Sequence, residues 1–250
     1  MSKMDKSTKN LTITLISGAN GGLGLATATR LSKEHGHHVI VGSRNADAGD
    51  KVAEALKAEG YEASSVPLDL NSDASILAAA KSIQEKFGRL DVLINNAGIL
   101  IDSIPGQTTR DLFTKTFDTN VIGTACLTEA MLPLLRKSTL PRIVFVSSRM
   151  GSLKVSTDDS TPFYNNDYKA YDASKAAVNM LAINYNRILS DVGGRVNAAC
   201  PGLVATNLSP FVKKYGSEPY LGAQRVVELA TVDKNGPTAT FSDRNEEIPW

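Results

Sequence analysis

Tryptophan occurs once in the 250 residues, cysteine twice and histidine three times. Two thiols, Cys126 and Cys200, cannot make the disulfide framework of a small secreted scaffold, so the expected setting is a reducing one, the cytoplasm. Excess charge is also missing: 27 basic residues face 26 acidic ones, for a formal net charge of +1, and no long run carries one sign. That leaves no field to gather nucleic acid or an acidic membrane surface. No stretch approaches the ~18 uninterrupted apolar residues of a membrane helix. Residues 1–10 are polar and lack the apolar centre of a secretory leader. Repeats, linker composition and low-complexity segments are absent too. With 42% hydrophobic residues at this length, the expectation is one domain over residues 1–250 with a sizeable core.

What is present is an alternation. Six short, largely apolar runs recur: Leu11–Ser17, His38–Ser43, Glu62–Leu68, Asp91–Asn95, Arg142–Ser148 and Arg195–Cys200. Hydrophobicity this continuous in so few residues suits strands buried on both faces, as in a parallel sheet. Between them lie helical patterns. Leu23, Ala26, Ala28 and Leu31 mark the first, and Val52, Ala55, Leu56 and Glu59 the second. Ile76, Ala79, Ala80, Ile83 and Phe87 mark a third, capped by Asn71 or Ser72. Phe113, Phe117, Val121 and Ala125 predict a long fourth, and Ala173–Leu189 a fifth. Strand–helix alternation implies right-handed βαβ units wound on both sides of one sheet. Residues 152–166 read as a loop, and the tail after Phe241 as irregular.

The first strand runs into Ser17-Gly18-Ala19-Asn20-Gly21-Gly22-Leu23-Gly24. Glycines between a strand and a helix allow a tight turn at Gly18, close approach of a pyrophosphate at Gly22, and close helix–strand packing at Gly24. The helix start then offers free N–H groups and the positive dipole end to phosphates. A plain strand-to-helix turn would carry the same glycines, and the spacing is GxxxGxG rather than GxGxxG. After the second strand, where an NAD site places a carboxylate on the ribose, the sequence reads Gly42-Ser43-Arg44-Asn45, with no acid before Asp47. A guanidinium at Arg44, helped by Ser43, suits a 2′-phosphate and points to NADPH; an exposed arginine after a strand is the alternative.

Of seven tyrosines, only Tyr171 has a lysine four residues on, Lys175, which places both on one helical face. The fifth strand ends in Ser147-Ser148, and a hydroxyl there points toward the crevice where α/β sheets bind ligands. Hydride addition to a ketone builds negative charge on oxygen. A tyrosine, with an ordinary pKa of about 10, is protonated at neutral pH and can give that oxygen its proton. A nearby lysine lowers the cost of the phenolate left behind, and Ser148 can hold the same oxygen. A surface pair on an amphipathic helix is the alternative. Gly18, Arg44, Asp69, Asn95, Ser148 and Pro201 all fall at the C-terminal ends of expected strands, the edge where such sheets bind ligands.

Those motifs, with Asn95-Asn96-Ala97-Gly98 and Pro201-Gly202, resemble the short-chain dehydrogenase/reductase family in its compact, carbonyl-reductase-like branch, from Gly18 to about Thr206. The resemblance implies a Rossmann-type α/β fold: a doubly wound, mainly parallel seven-stranded sheet with helices on both faces. It implies that Ser148, Tyr171 and Lys175 act with Asn120 as a catalytic tetrad, Asn120 through a proton-relay water. It implies that Asp69 and Leu70 meet the adenine, that Asn95, Ala97 and Gly98 support the cofactor site, and that Asn20, Gly22 and Leu23 belong to the phosphate turn. Lys175 would also hold the nicotinamide ribose, and Pro201, Gly202, Val204 and Thr206 would line the nicotinamide pocket. The implied partner is a small carbonyl substrate, and many relatives are homodimers or homotetramers. No metal is expected.

Two departures stand out. The interval from Ser148 to Tyr171 is longer than usual in the family, with the extra residues near Lys154–Asp167. This loop is expected to rim the substrate pocket together with Arg149, Met150 and the segment after Thr206, or else to serve an interface. The C-terminal end also lacks the family's frequent Asp-Gly-Gly-like turn. His35, His37 and His38 are read as a solvated turn at the opposite edge of the sheet, Cys126 as a core residue, Cys200 as a neighbour of the nicotinamide, and Trp250 as packing. Tyr164 and Tyr168 are candidates for substrate contact or exposed loop aromatics. Two rivals remain beside carbonyl reduction: oxidation of an alcohol by the same residues, and a nucleotide-binding regulatory protein with little turnover.

Overall fold

Alternation within each strand decides the architecture. The structure, a computed structural model, describes residues 11–250. Ile13, Leu15, Ile40, Leu93, Ile143, Phe145, Val196 and Ala198 point to one side of the sheet, and Ile16, Val39, Val41, Val92, Ile94, Val144 and Ala199 to the other. Both sides are buried, as a parallel sheet requires. The strands are β1 Ile13–Ser17, β2 His38–Ser43, β3 Ala63–Pro67, β4 Val92–Asn95, β5 Arg142–Val146, β6 Arg195–Ala199 and β7 Phe241–Ser242. They form one seven-stranded sheet in the order β3-β2-β1-β4-β5-β6-β7, and every pair is parallel.

The helices are α1 Gly22–His35, α2 Ala46–Ala58, α3 Asp73–Phe87, α4 Thr109–Phe117, α5 Thr124–Leu135, α6 Lys169–Ile188, α7 Pro210–Tyr215, α8 Pro219–Gly222 and α9 Gln224–Ala230. Side chains of α3, α5 and α6 fill one layer, among them Ile83, Met131 and Val178; those of α1, α2 and α9 fill the other, among them Leu31, Leu56 and Val226. The chain builds β1, β2 and β3 outward, then returns to place β4 on the other side of β1. The strand order therefore reverses between β1 and β4, and the crevice at their C-terminal ends is where such sheets accept ligands.

Four features depart from the sequence expectations. The long fourth helix is α4 and α5 joined by a π-helical turn, Asp118–Gly123. A Cβ on Gly123 would collide with the Leu70 backbone, so glycine is required where the turn passes the β3–α3 connection. The helix expected from Ala173 starts at Lys169, which puts Tyr171 inside its first turn. The tail is not merely irregular: β7 extends the sheet, Trp250 stacks on Phe241 with ring centroids 5.6 Å apart, and Ile248 is buried. His37 and His38 are buried, not solvated, because His38 opens β2: His37 Nδ1 meets Thr14 Oγ1 at 2.8 Å and His38 Nε2 meets Ser64 Oγ at 2.9 Å. No group of metal-ligating side chains occurs among the described residues, and no helix among them is long and apolar enough to cross a membrane.

Candidate active site

Gly18 follows β1 directly and adopts φ +66°, a left-handed conformation that turns the chain at once into α1. Gly24 lies so close to it that a Cβ would strike the Gly18 carbonyl oxygen. Ser17 and Asn96 brace this turn. Asn96 Nδ2 donates to the carbonyls of Ser17 (2.8 Å) and Gly18 (3.2 Å), while Ser17 Oγ accepts the amides of Asn96 and Ala97, both at 3.0 Å. Gly21, at the start of α1, contributes no side-chain cap, and no acid lies in the first turn. The free amides and the dipole end therefore face the crevice, as an anion-binding turn requires.

A cleft of about 500 Å³ runs from this turn across the C-terminal edge of the sheet. Every catalytic or cofactor-binding residue put forward from the sequence lines it except Asn95 and Asn120. Period-two alternation explains Asn95: it shares the face of Leu93, so its side chain points away from the cleft and donates to Thr128 Oγ1 of α5 at 3.0 Å. Its neighbour Asn96 lines the cleft instead. Asn120, in the π turn, lies just behind Gly98. Its Oδ1 accepts from Ile99 N (2.8 Å), and its Nδ2 donates to Ile99 O (2.9 Å) and Ser174 Oγ (3.0 Å). A Cβ on Gly98 would lie 3.3 Å from Asn120 Oδ1 and 3.5 Å from Lys175 Nζ, so the missing side chain keeps this corner open.

At the β2 end, Arg44 is exposed and forms no hydrogen bond or ion pair among the described residues. Ser43 is already committed, donating to Asn45 O at 2.8 Å, while Asn45 caps α2 through Ala48 N. No carboxylate of the described residues occupies this end of the cleft; Asp69, across it on the β3 side, accepts Asn71 N at 3.1 Å.

The floor of the cleft holds the reactive groups. Burial raises the Tyr171 phenol well above its ordinary range, with Cys200 and Asp172 adding to the rise and a hydrogen bond with Ser148 opposing it. The phenol is therefore fully protonated at neutral pH. Lys175 is also buried; its Nζ donates to Val146 O at 2.8 Å and lies 5.6 Å from the Tyr171 ring centre. Burial pushes its pKa down to about 8. An ammonium without a carboxylate partner is costly to bury, and an anion forming beside it relieves that cost. Burial, then Asp102 and Asp167, push Asp172 up to about 7.

Several contacts around this floor had no signal in the sequence. Cys200 Sγ accepts the amide of Arg149 at 3.3 Å, which fixes the turn after Ser148. Arg149 itself does not face the cleft. Its guanidinium reaches the tail, 2.7 Å from Asp243 Oδ2 and 2.5 Å from Glu246 Oε1. The loop after it also turns toward the tail, as Ser152 Oγ donates to Pro249 O and Lys154 N to Trp250 O. Arg149, Met150 and residues 152–167, expected to rim the substrate pocket or to serve an interface, are not among the residues lining this cleft, and Arg149, Ser152 and Lys154 are held to the C-terminal tail. The segment after Thr206 does line it, through Asn207, Leu208 and Val212.

Comparison with known proteins agrees with this geometry. Residues 12–215 match the model of a family described as short chain dehydrogenase. Short-chain dehydrogenase/reductase ATR10 of Stachybotrys chlorohalonatus is 37% identical over 246 residues, covering 92% of this chain and 87% of the relative. Among solved structures, NADPH-bound carbonyl reductase from chicken fatty liver superposes with a TM-score of 0.81 at 25% identity, covering 96% of this chain and 99% of that one. Salutaridine reductase from Papaver somniferum gives 0.76 at 26% identity, covering 92% and 99%. The chain belongs to the short-chain dehydrogenase/reductase family, NAD(P)-dependent oxidoreductases that act on CH–OH and C=O groups.

Proposed function

We propose that this protein is an NADPH-dependent carbonyl reductase that converts a ketone or aldehyde to an alcohol, with Tyr171 as the proton donor. The observation that carries the proposal is the cleft floor: a buried phenol lining the same cleft as Ser148 and one helical turn from a buried ammonium, at the end of a channel that begins in a glycine turn. The residues present fit a dinucleotide. The glycine turn leaves amides and the α1 dipole for a pyrophosphate, Asp69 and Leu70 would flank an adenine, and Pro201, Gly202, Val204 and Thr206 wall the opposite end. Arg44, without a hydrogen-bond or ion-pair partner among the described residues and beside Ser43, suits a 2′-phosphate, and no carboxylate of the described residues stands at that end of the cleft to select a ribose hydroxyl.

When bound, the nicotinamide cofactor supplies the hydride. The protein supplies the rest. Ser148 and Tyr171 hold the carbonyl oxygen, and as the carbon–oxygen π pair moves onto that oxygen, the Tyr171 hydroxyl gives it a proton. Lys175 stabilises the resulting phenolate, since a cation held at this distance from a phenol favours its ionised form. Asn120, whose side chain is hydrogen-bonded to Ile99 and Ser174 behind Gly98, would hold the water through which a proton returns. Asn95 acts only indirectly, by tying β4 to α5. The proposal extends to a single domain and to a cytoplasmic location, since both cysteines are free thiols. It also extends to a homodimer or homotetramer through the exposed apolar side chains Ile122, Met180 and Ile188.

The test is steady-state turnover of a ketone, aldehyde and quinone panel with NADPH and NADH, for wild type and Tyr171→Phe. Turnover in the wild type and its loss in the variant are expected. No NADPH consumption with any carbonyl, or full activity in the variant, would overturn the proposal.

A further inference from the structure

The helix that carries Tyr171 begins without a cap of its own. α2, α3, α4 and α7 each open on a polar residue whose side chain accepts an amide of the first turn: Asn45, Ser72, Thr108 and Ser209. α6 opens on Tyr168, whose side chain caps nothing. Its free amides find an acceptor elsewhere. Ala170 N and Tyr171 N donate to Oδ1 of Asp102, at 2.8 and 3.4 Å, from 68 and 69 residues away in sequence. Asp102 follows the segment after β4 whose residues Ala97, Gly98 and Ile99 wall the cleft.

We infer that Asp102 is a positioning residue for Tyr171: its carboxylate is a borrowed N-terminal cap that fixes the first turn of α6, and with it the phenol, against the cleft wall. The inference rests on the role proposed above for Tyr171. A cap within the helix would order the turn relative to α6 alone. A cap from the β4 side locks it to the opposite wall of the site, and an anion there also meets the positive end of the helix dipole. A second tie runs in parallel, since Asn120 bonds both Ile99 and Ser174, and Ser174 Oγ donates to Tyr171 O. Two attachments between the same two pieces of chain leave the first turn little freedom to tilt.

The charge of Asp102 has its own consequence. Its Oδ2 and Oδ1 of Asp172 are both buried without a partner. The groups acting on Asp172 are Asp102 from the β4 side and Asp167 from the loop before α6, and Asp167 is paired with Lys169. α4 and the π turn, packed on α6, carry Arg110, Asp111, Lys115 and Asp118, none of which is among the charges acting on Asp172. Asp102 and Asp172 both raise the phenol. Neutralising Asp102 while keeping an acceptor oxygen therefore makes Tyr171 easier to ionise without releasing the turn.

The experiment compares Asp102→Leu, Asp102→Asn, Tyr171→Phe and wild type. It reads kcat against pH with menadione, benzaldehyde and cyclohexanone as carbonyl probes, and amide hydrogen exchange of residues 169–172 in the cofactor-free proteins. In Asp102→Leu, exchange at Ala170 and Tyr171 is expected to rise about fivefold, the loss of one cap. Its kcat is expected to fall about a hundredfold, the cost of a misplaced group, with the KM for NADPH unchanged. Asp102→Asn is expected to keep wild-type exchange and to move the alkaline limb of the kcat profile to lower pH. Wild-type exchange and kcat in Asp102→Leu overturn the inference, as does an unmoved limb in Asp102→Asn. If Asp102→Leu does not fold, Asp102→Ser, too short to reach the amides, is read the same way. An active Tyr171→Phe overturns the proposed function itself, whereas an inactive one beside an unaffected Asp102→Leu overturns only the role of Asp102.

Discussion

The two edges of the sheet use polar groups in opposite ways. At the N-terminal edge, Asp91 accepts Ile13 N at 2.8 Å, Arg89 Nε at 3.2 Å and Ser138 Oγ at 2.6 Å, while Arg89 donates onward to Leu11 O. His37 and His38 close against Thr14 and Ser64. Most of the polar groups there are paired within the fold, although His38 Nδ1, Arg142 Nε and Arg195 Nε are buried without a hydrogen-bond partner among the described residues. At the C-terminal edge the α1 amides face the cleft uncapped, Arg44 has no partner among the described residues, and a phenol and an ammonium are buried at the cleft floor. A closed network stabilises the fold; open groups cost stability and hold the capacity to bind and react. The difference teaches where to look for function on a sheet whose two ends are otherwise built from the same strands.

If that contrast is right, substitutions at the two edges separate activity from stability. Tyr171→Phe is expected to lower kcat by roughly three orders of magnitude, within the span of acid–base catalysis, with little change in melting temperature; equal losses of both would erase the distinction. Asp91→Ala should do the reverse. It breaks a buried ion pair and orphans its donors, so unfolding in urea should show a loss of about 3 kcal/mol, while kcat of the folded fraction stays at the wild-type value. Arg44→Ala is expected to raise the KM for NADPH by about 10- to 100-fold, the worth of one or two charge-assisted hydrogen bonds, and to leave the KM for NADH unchanged. A parallel rise for both cofactors would remove Arg44 from phosphate recognition.

The last effect is one of pH. Burial, with nearby cations, pushes His37 and His38 down to about 4. Below their ordinary pKa of about 6.5 the unfolded chain binds protons that the folded protein refuses. Stability is therefore complete above pH ~6.5 and drains away toward pH 4, by about 1.4 kcal/mol per pH unit for each histidine. Urea melts between pH 7 and 4.5 check this, and His37→Asn should halve the slope. A flat profile would mean that the two rings are protonated as readily folded as unfolded.

Much of the C-terminal edge was legible because its signals are local. Glycines between a strand and a helix, an arginine one residue past β2, and Tyr171 four before Lys175 are visible in any window of ten residues. The strands were legible for the same reason, with β2 matching His38–Ser43 and the others trimmed by one or two residues at their ends. The histidines were misjudged because three in four residues look like a polar turn, although the strand period already assigns His38 to a buried position. Arg149 was misplaced because its partners, Asp243 and Glu246, lie more than ninety residues away in sequence. β7 is only two residues long and gives no period to detect.

Hydrophobic period and glycine placement determined, without any tertiary information, that strands alternate with helices and that the cleft-lining residues gather at one sheet edge, since both depend on side chains a few positions apart. The tertiary structure decided everything that needs two distant segments to meet. It inserted a π turn where α4 and α5 pass Leu70, tied Arg149, Ser152 and Lys154 to the tail, and supplied α6 with a cap from Asp102. Such contacts depend on where separate pieces of backbone come to rest in three dimensions, and no local pattern encodes that.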